Sequence, residues 1–154
     1  SIGSKSTLKD LEKWVNTLIE TNDWGVGMTH GLTYGYDAFR NPQRLWDHLD
    51  QVKARENEIW VGTFREVVSY IKEREETKLE VVNKKNTLLI TPELKLDQEL
   101  FVEPLTMVIT GKEIKKVTVK QGKRRLPVQI TDDKVLFDFD PYGGMIKVTL
   151  KIQK

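Results

Sequence analysis

The spacing of apolar residues changes once along this chain, from a period of 3.6 to a period of two, and that change constrains the fold more than any other feature. Thr7 is placed to cap a helix whose apolar face is Leu8, Leu11, Val15 and Leu18, with Trp14 and Ile19 alongside. Asp10, three residues after Thr7, completes a capping-box pattern, and Thr21-Asn22-Asp23 closes the helix. Residues 24–29 (WGVGMT) read as a short strand. Pro42 suits the first turn of a second helix carrying Leu45, Leu49 and Val52 on one face. Residues 59–61 (IWV) read as a second strand. Thr63 and Glu66 form another capping box, followed by Phe64, Val67, Val68 and Ile71 at helical spacing. The resulting order, α-β-α-β-α, is the rhythm of a parallel α/β sheet or barrel.

After the charged run 72–78 the alternation is strand-like. Val117 and Val119 alternate with polar residues, as do Leu126, Val128 and Ile130, then Val135, Phe137 and Phe139, then Ile146, Val148, Leu150 and Ile152. Gln121-Gly122-Lys123, Thr131-Asp132-Asp133 and Pro141-Tyr142-Gly143-Gly144 supply turns between them. About seven short antiparallel strands in this length indicate a β-sandwich. The charge changes with the period. Residues 1–76 carry ten Lys and Arg against thirteen Asp and Glu, and residues 77–154 carry fifteen against ten. We therefore expect two units, 1–76 and 77–154.

Two strands with three helices cannot close a barrel, and parallel strands are normally covered on both faces. The first unit is therefore expected to be the end of a larger barrel. No apolar run reaches the roughly 20 residues that span a bilayer, and no apolar leader opens the sequence. The absence of cysteine excludes disulfides, thiol catalysis and cysteine-ligated zinc. A formal net charge of +2 gives no support to a nucleic-acid partner. The clusters Lys84-Lys85, Lys115-Lys116 and Lys123-Arg124-Arg125 fall at turns and strand ends without aromatic partners, as a solvated surface would. A weak role for the second unit at an anionic polysaccharide surface stays open.

The stretches WGVGMTHG, LWDHLDQVK and IWVGTFREVVSYIKERE together resemble the C-terminal end of polysaccharide deacetylases, the NodB-homology enzymes of carbohydrate esterase family 4. The stretches ELFVEPLTMVITG, VTVKQGKRRLPVQI and VLFDFDPYGGMIKVTL resemble the β-sandwich appended to some bacterial members. The resemblance implies an α/β plus all-β fold: the C-terminal segment of a (β/α) deacetylase barrel over 1–76 and an antiparallel β-sandwich accessory domain over 77–154. It implies a hydrolase that removes acetyl groups, usually N-acetyl, from a polysaccharide. Its divalent metal, commonly zinc, is held by one Asp and two His, and a second Asp activates water. It also implies an extracellular, periplasmic or cell-envelope location. Met28-Thr29-His30 matches the family's late apolar-x-His motif, with Met in place of the usual Leu. On this resemblance His30 is the general acid and Met28 a wall of the acetyl pocket.

The family's Asp-Asp pair and His-x-x-x-His motif have no counterpart in these residues, since the two histidines are His30 and His48. The metal ligands and the base are expected on a missing N-terminal part of the barrel, and the chain by itself is expected to be inactive. The alternative is a non-catalytic carbohydrate-binding or scaffold module that has lost, or never had, the metal site. Read without the resemblance, His30 also fits a turn histidine bonded to backbone. His48, on a helix beside Leu45 and Leu49, reads as a packed structural residue. Asp47 and Asp50 near it provide too few ligands for a metal. Tyr34 and Tyr36, in the glycine-rich loop after His30, offer flat faces for sugar rings, and an ordinary barrel loop would look the same. Trp24 and Trp60 are expected in the core.

Overall fold

Where the apolar period is two, the chain folds into two antiparallel sheets around one core. The computed structural model describes residues 2–111, 114–131 and 133–152. Three helices come first: α1 (Leu8–Thr21), α2 (Gln43–Lys53) and α3 (Phe64–Glu76). Eight strands follow among the described residues: β1 (Lys78–Lys84), β2 (Thr87–Glu93), β3 (Leu105–Thr110), β4 (Ile114–Gln121), β5 (Arg124–Leu126), β6 (Gln129–Ile130), β7 (Lys134–Phe139) and β8 (Ile146–Ile152). One sheet has the order β1-β2-β8-β4-β5 and the other β3-β7-β6, with every pairing antiparallel. The protein is thus mixed α and β with a strand-rich second part.

The alternation sets which residues meet. Ile90, Val117, Val119, Leu126, Ile146 and Val148 come from the larger sheet, and Leu105, Val135, Phe137 and Phe139 from the smaller; together they form a single buried cluster. Fully burying such a side chain is worth about 1.5–3 kcal/mol. Ile130, the last apolar residue expected on its run, is exposed at the end of the two-residue strand β6. The Gln121-Gly122-Lys123 turn is tight because Gly122 takes a left-handed conformation (φ 56°). Asp132, expected in the next turn, lies outside the described residues. Gln121 is the buried polar exception. Its Nε2 donates to the Asp140 and Gly144 carbonyls (2.6 and 3.2 Å), and its Oε1 accepts from the Asp140 N–H (3.1 Å), which fixes the 140–144 turn.

The two expected strands of the first part do not form. Residues 24–29 and 59–61 are irregular, and the backbone of Met28 makes one bond, accepting from the Ile2 N–H at 2.8 Å. A strand requires a continuous ladder on at least one edge, and among the described residues no neighbouring strand supplies one here. Trp24 and Trp60, expected in the core, are consequently exposed.

The helices begin where the caps indicate. Thr7 and Thr63 each accept a hydrogen bond from the amide three residues on, and Asp10 and Glu66 return the bond. Leu11 and Val15 bury the face of α1 as its spacing requires. On α2 the inward residue is His48, while Leu49 is exposed.

The chain divides into compact units at 1–62 and 63–154, so α3 belongs with the sheets and not with α1 and α2 as the charge boundary at residue 76 indicated. Contacts that no spacing rule signals explain this placement. Glu73 is fully buried, and its Oε1 accepts the Glu103 N–H at 3.1 Å. Lys72 lies 5.4 Å from the centre of the Phe101 ring, and Tyr70 packs against the sheet core. Phe64 and Val68, expected to face inward, are exposed.

The second carboxylate oxygen of Glu73 has no hydrogen-bond partner. Burial pushes the Glu73 carboxyl above the ordinary glutamate value, with the charges of Glu103 and Asp140 acting in the same direction and the Glu103 amide opposing them. The folded state therefore holds a proton that the unfolded chain releases, so this contribution to stability is full in acid and is lost as pH rises through the folded-state pKa. Glu73→Gln keeps the acceptor and cannot ionise. Its melting temperature should match the wild type near pH 4 and exceed it near pH 8; parallel thermal melts across that range check this.

Candidate functional site

The loop after residue 29 is held by its own backbone. The Thr29 hydroxyl donates to the Gly31 carbonyl (3.1 Å), and the Phe39 amide donates to the same oxygen (3.2 Å). Ala38 and Phe39 are buried, so the end of the loop is pinned while its tip projects. Gly31 sits against the Tyr34 carbonyl, where a Cβ would collide with backbone, and Gly35 has φ 117°, open to glycine almost alone. The glycines that make the sequence loop-like are therefore required by its path.

His30 is exposed within this loop. The Tyr36 ring meets it edge-on, with centroids 5.5 Å apart and planes at 76°. Asp37 comes next in the loop, at a positive φ of 50°. Its Oδ1 accepts from the Ser4 amide (3.1 Å) and the Ser4 hydroxyl (2.6 Å). Those bonds hold the Asp37 carboxyl below the ordinary aspartate value, and the charge of His30 adds to the effect. Arg44 fastens the segment bearing Ser4 by donating to the carbonyls of Ser4 and Ser6 (3.1 and 2.8 Å). An anionic carboxylate thus anchors the loop that presents the exposed imidazole of His30.

His30 and Tyr36 are brought together. Tyr34 and Tyr36 are 87% and 83% exposed and point their rings into solvent from one loop. Met28 is 53% exposed in the extended segment before His30. Two shallow clefts occur on the second unit, around Lys78 and Glu93. Asp37 is a residue of this loop that sequence reasoning did not single out. Its spacing from His30 is unremarkable, and its bonds to Ser4 arise only in the folded loop.

His48 is elsewhere in function as well as in position. It is 4% exposed, its ring lies 6.4 Å from that of Trp14, and its Nδ1 has no hydrogen-bond partner. This is the packed, structural histidine anticipated from its place on the helix. Among the described residues, no group of three His, Cys, Asp or Glu side chains could hold a metal ion. The described residues therefore do not fit the metal centre that the resemblance implies, and no chemical step is routed through one.

Comparison of the chain with protein-family models, with curated proteins and with solved structures gives no match.

Burial holds the His48 imidazole below its ordinary pKa. The unfolded chain binds a proton that the folded one refuses, so stability from this site is present above the ordinary histidine pKa and is lost as pH falls through the folded-state value. His48→Leu removes both the titration and the unpaired nitrogen. Its first unit should resist acid unfolding at pH values near 5 better than the wild type. Tryptophan fluorescence, with Trp14 beside the site, tracks the transition.

Proposed function

We propose that this chain is the C-terminal part of a polysaccharide deacetylase of the NodB-homology type, with His30 as its general acid. The observation that carries the reading is the exposed His30 of the Met28-Thr29-His30 motif, with the Tyr36 ring against it, on a loop whose path is fixed by glycine. In amide hydrolysis the scissile C–N bond breaks as water adds to the carbonyl carbon, and the departing amine must receive a proton. His30 as imidazolium donates it.

The exposed apolar residues of the extended segments support the same reading. Val26, Met28 and Val61 are the kind of side chains that adjoining barrel strands cover, and all three face solvent here. Met28 then forms a wall of the acetyl pocket, and Tyr34 and Tyr36 lie under sugar rings. The divalent metal and the base belong, in this reading, to barrel residues outside 1–154. The accessory role of the strand-rich unit and a location outside the cytoplasm come from the resemblance alone.

A second reading, a non-catalytic carbohydrate-binding module, is favoured by the outward Tyr34 and Tyr36 rings. Aromatic faces bind sugar rings whether or not chemistry takes place.

Acetate release from an N-acetylglucosamine polymer by the full-length protein, assayed with and without added zinc, separates the two. The deacetylase reading expects zinc-dependent release that falls about 100-fold or more in His30→Ala. Unchanged turnover in that variant removes His30 from the mechanism. Polymer binding that depends on Tyr34 and Tyr36, with no release of acetate, establishes the binding module instead.

A further inference from the structure

Strand β1 is the outer strand of the larger sheet, and every one of its seven residues is exposed. Among the described residues it pairs with β2 alone, from Lys78 opposite Glu93 to Lys84 opposite Thr87. The turn between them has two residues, Lys85 and Asn86, with Lys85 at φ 51°. In a two-residue hairpin the flanking pair exchanges both of its hydrogen bonds, and the pattern then alternates along the ladder. The backbone groups of Lys84, Val82 and Glu80 therefore turn toward β2. Those of Leu79, Val81 and Asn83 lie along the open edge.

That edge carries an unusual load of apolar side chains. Leu79, Val81 and Val82 are all exposed large hydrophobics. Natural edge strands are commonly guarded by charges, and β1 has Lys78, Glu80 and Lys84 on one face, with Val82 between the last two. Glu80 faces Thr91 across the hairpin and Lys84 faces Thr87, so neither meets an opposite charge there. Among the described residues neither belongs to an ion pair.

We propose that β1 pairs antiparallel with β1 of a second copy of this chain, on a two-fold axis through Val82, to join two five-stranded sheets into one. The alternation of backbone groups restricts the choice of register. Open-edge residues must meet open-edge residues, so Leu79, Val81 and Asn83 can pair only among themselves. An axis through Val81 sets Lys78 against Lys84 of the second copy. An axis through Glu80 sets two glutamates together. An axis through Leu79 pairs Lys78 with Glu80 but overlaps only residues 78–80 before α3 intervenes. An axis through Asn83 sets Val82 against Lys84.

The axis through Val82 instead pairs Glu80 with Lys84 twice, by symmetry, around a central Val82–Val82 contact. Val81 and Asn83 exchange the edge hydrogen bonds on either side. Opposite charges directly across an antiparallel pair attract and like charges repel. The same charges that guard the edge against other strands thus select this one. A C2 contact of this kind closes on itself, because each copy of β1 satisfies the open edge of the other.

The absence of cysteine allows a direct test of the register. Residues facing one another in a non-hydrogen-bonded antiparallel pair have Cα atoms about 4.5 Å apart, within disulfide range. Val82→Cys should form a disulfide-linked dimer under mild oxidation, whereas Val81→Cys, offset by two residues from its counterpart, should cross-link far more slowly. Sedimentation equilibrium of the cysteine-free chain gives the second arm. Glu80→Lys or Lys84→Glu alone should weaken self-association about tenfold, and the double exchange should restore it. A chain that remains monomeric at millimolar concentration overturns the proposal. So do equal cross-linking at Val81 and Val82, or a double exchange that fails to restore association. Circular dichroism of each variant distinguishes lost pairing from lost folding.

Discussion

Strand β8 is the constraint on which the strand-rich unit depends. It lies at the centre of the larger sheet, bonded to β2 on one side and β4 on the other, and Ile146 and Val148 on its inner face are fully buried. A slip of one residue would turn both side chains to solvent and bring Lys147 and Thr149 inward. The Gln121 amide guards against that slip from outside the ladder, because it binds both Asp140 and Gly144 on the turn that feeds β8. The smaller sheet then has one place to lie, with Phe137 and Phe139 against the same residues.

Helix α3 joins this unit through a buried carboxylate. The Glu73 bond to the Glu103 amide ties the helix to the segment before β3, at the expense of one oxygen left unpaired in the interior. Burying a polar group without a partner costs free energy, and a protonated carboxyl lowers that cost. The other unit contains a counterpart of opposite sign in His48, which is buried in its neutral form. Each unit thus holds a buried ionisable group whose charged form burial disfavours, and the two respond to pH in opposite directions.

The candidate site is built quite differently. Its parts lie on a loop, and their placement comes from backbone bonds, glycine conformations and the Ser4–Asp37 contact. The motif Met28-Thr29-His30 could be read from the sequence, and so could the aromatic character of the loop after it. The anchoring of the loop by Asp37 could not, because its partner Ser4 lies 33 residues earlier and no local pattern links them. Residues 24–29 and 59–61 have strand-like composition, yet composition supplies no neighbouring strand to complete a ladder.

The sequence alone determined the features that local periodicity dictates: two capped helices at Thr7 and Thr63, the alternating strands from β4 onward, and the turns at Gly122 and at Gly143-Gly144. Those features depend on residues within a few positions of one another. Tertiary structure decided that α3 belongs to the sheets, that His48 and Glu73 face inward while Leu49 and Phe64 do not, and that β1 stands exposed at an edge. Each of these depends on what a distant segment presents, and a side chain's burial is fixed by the surface that arrives to cover it, which spacing along one element does not encode.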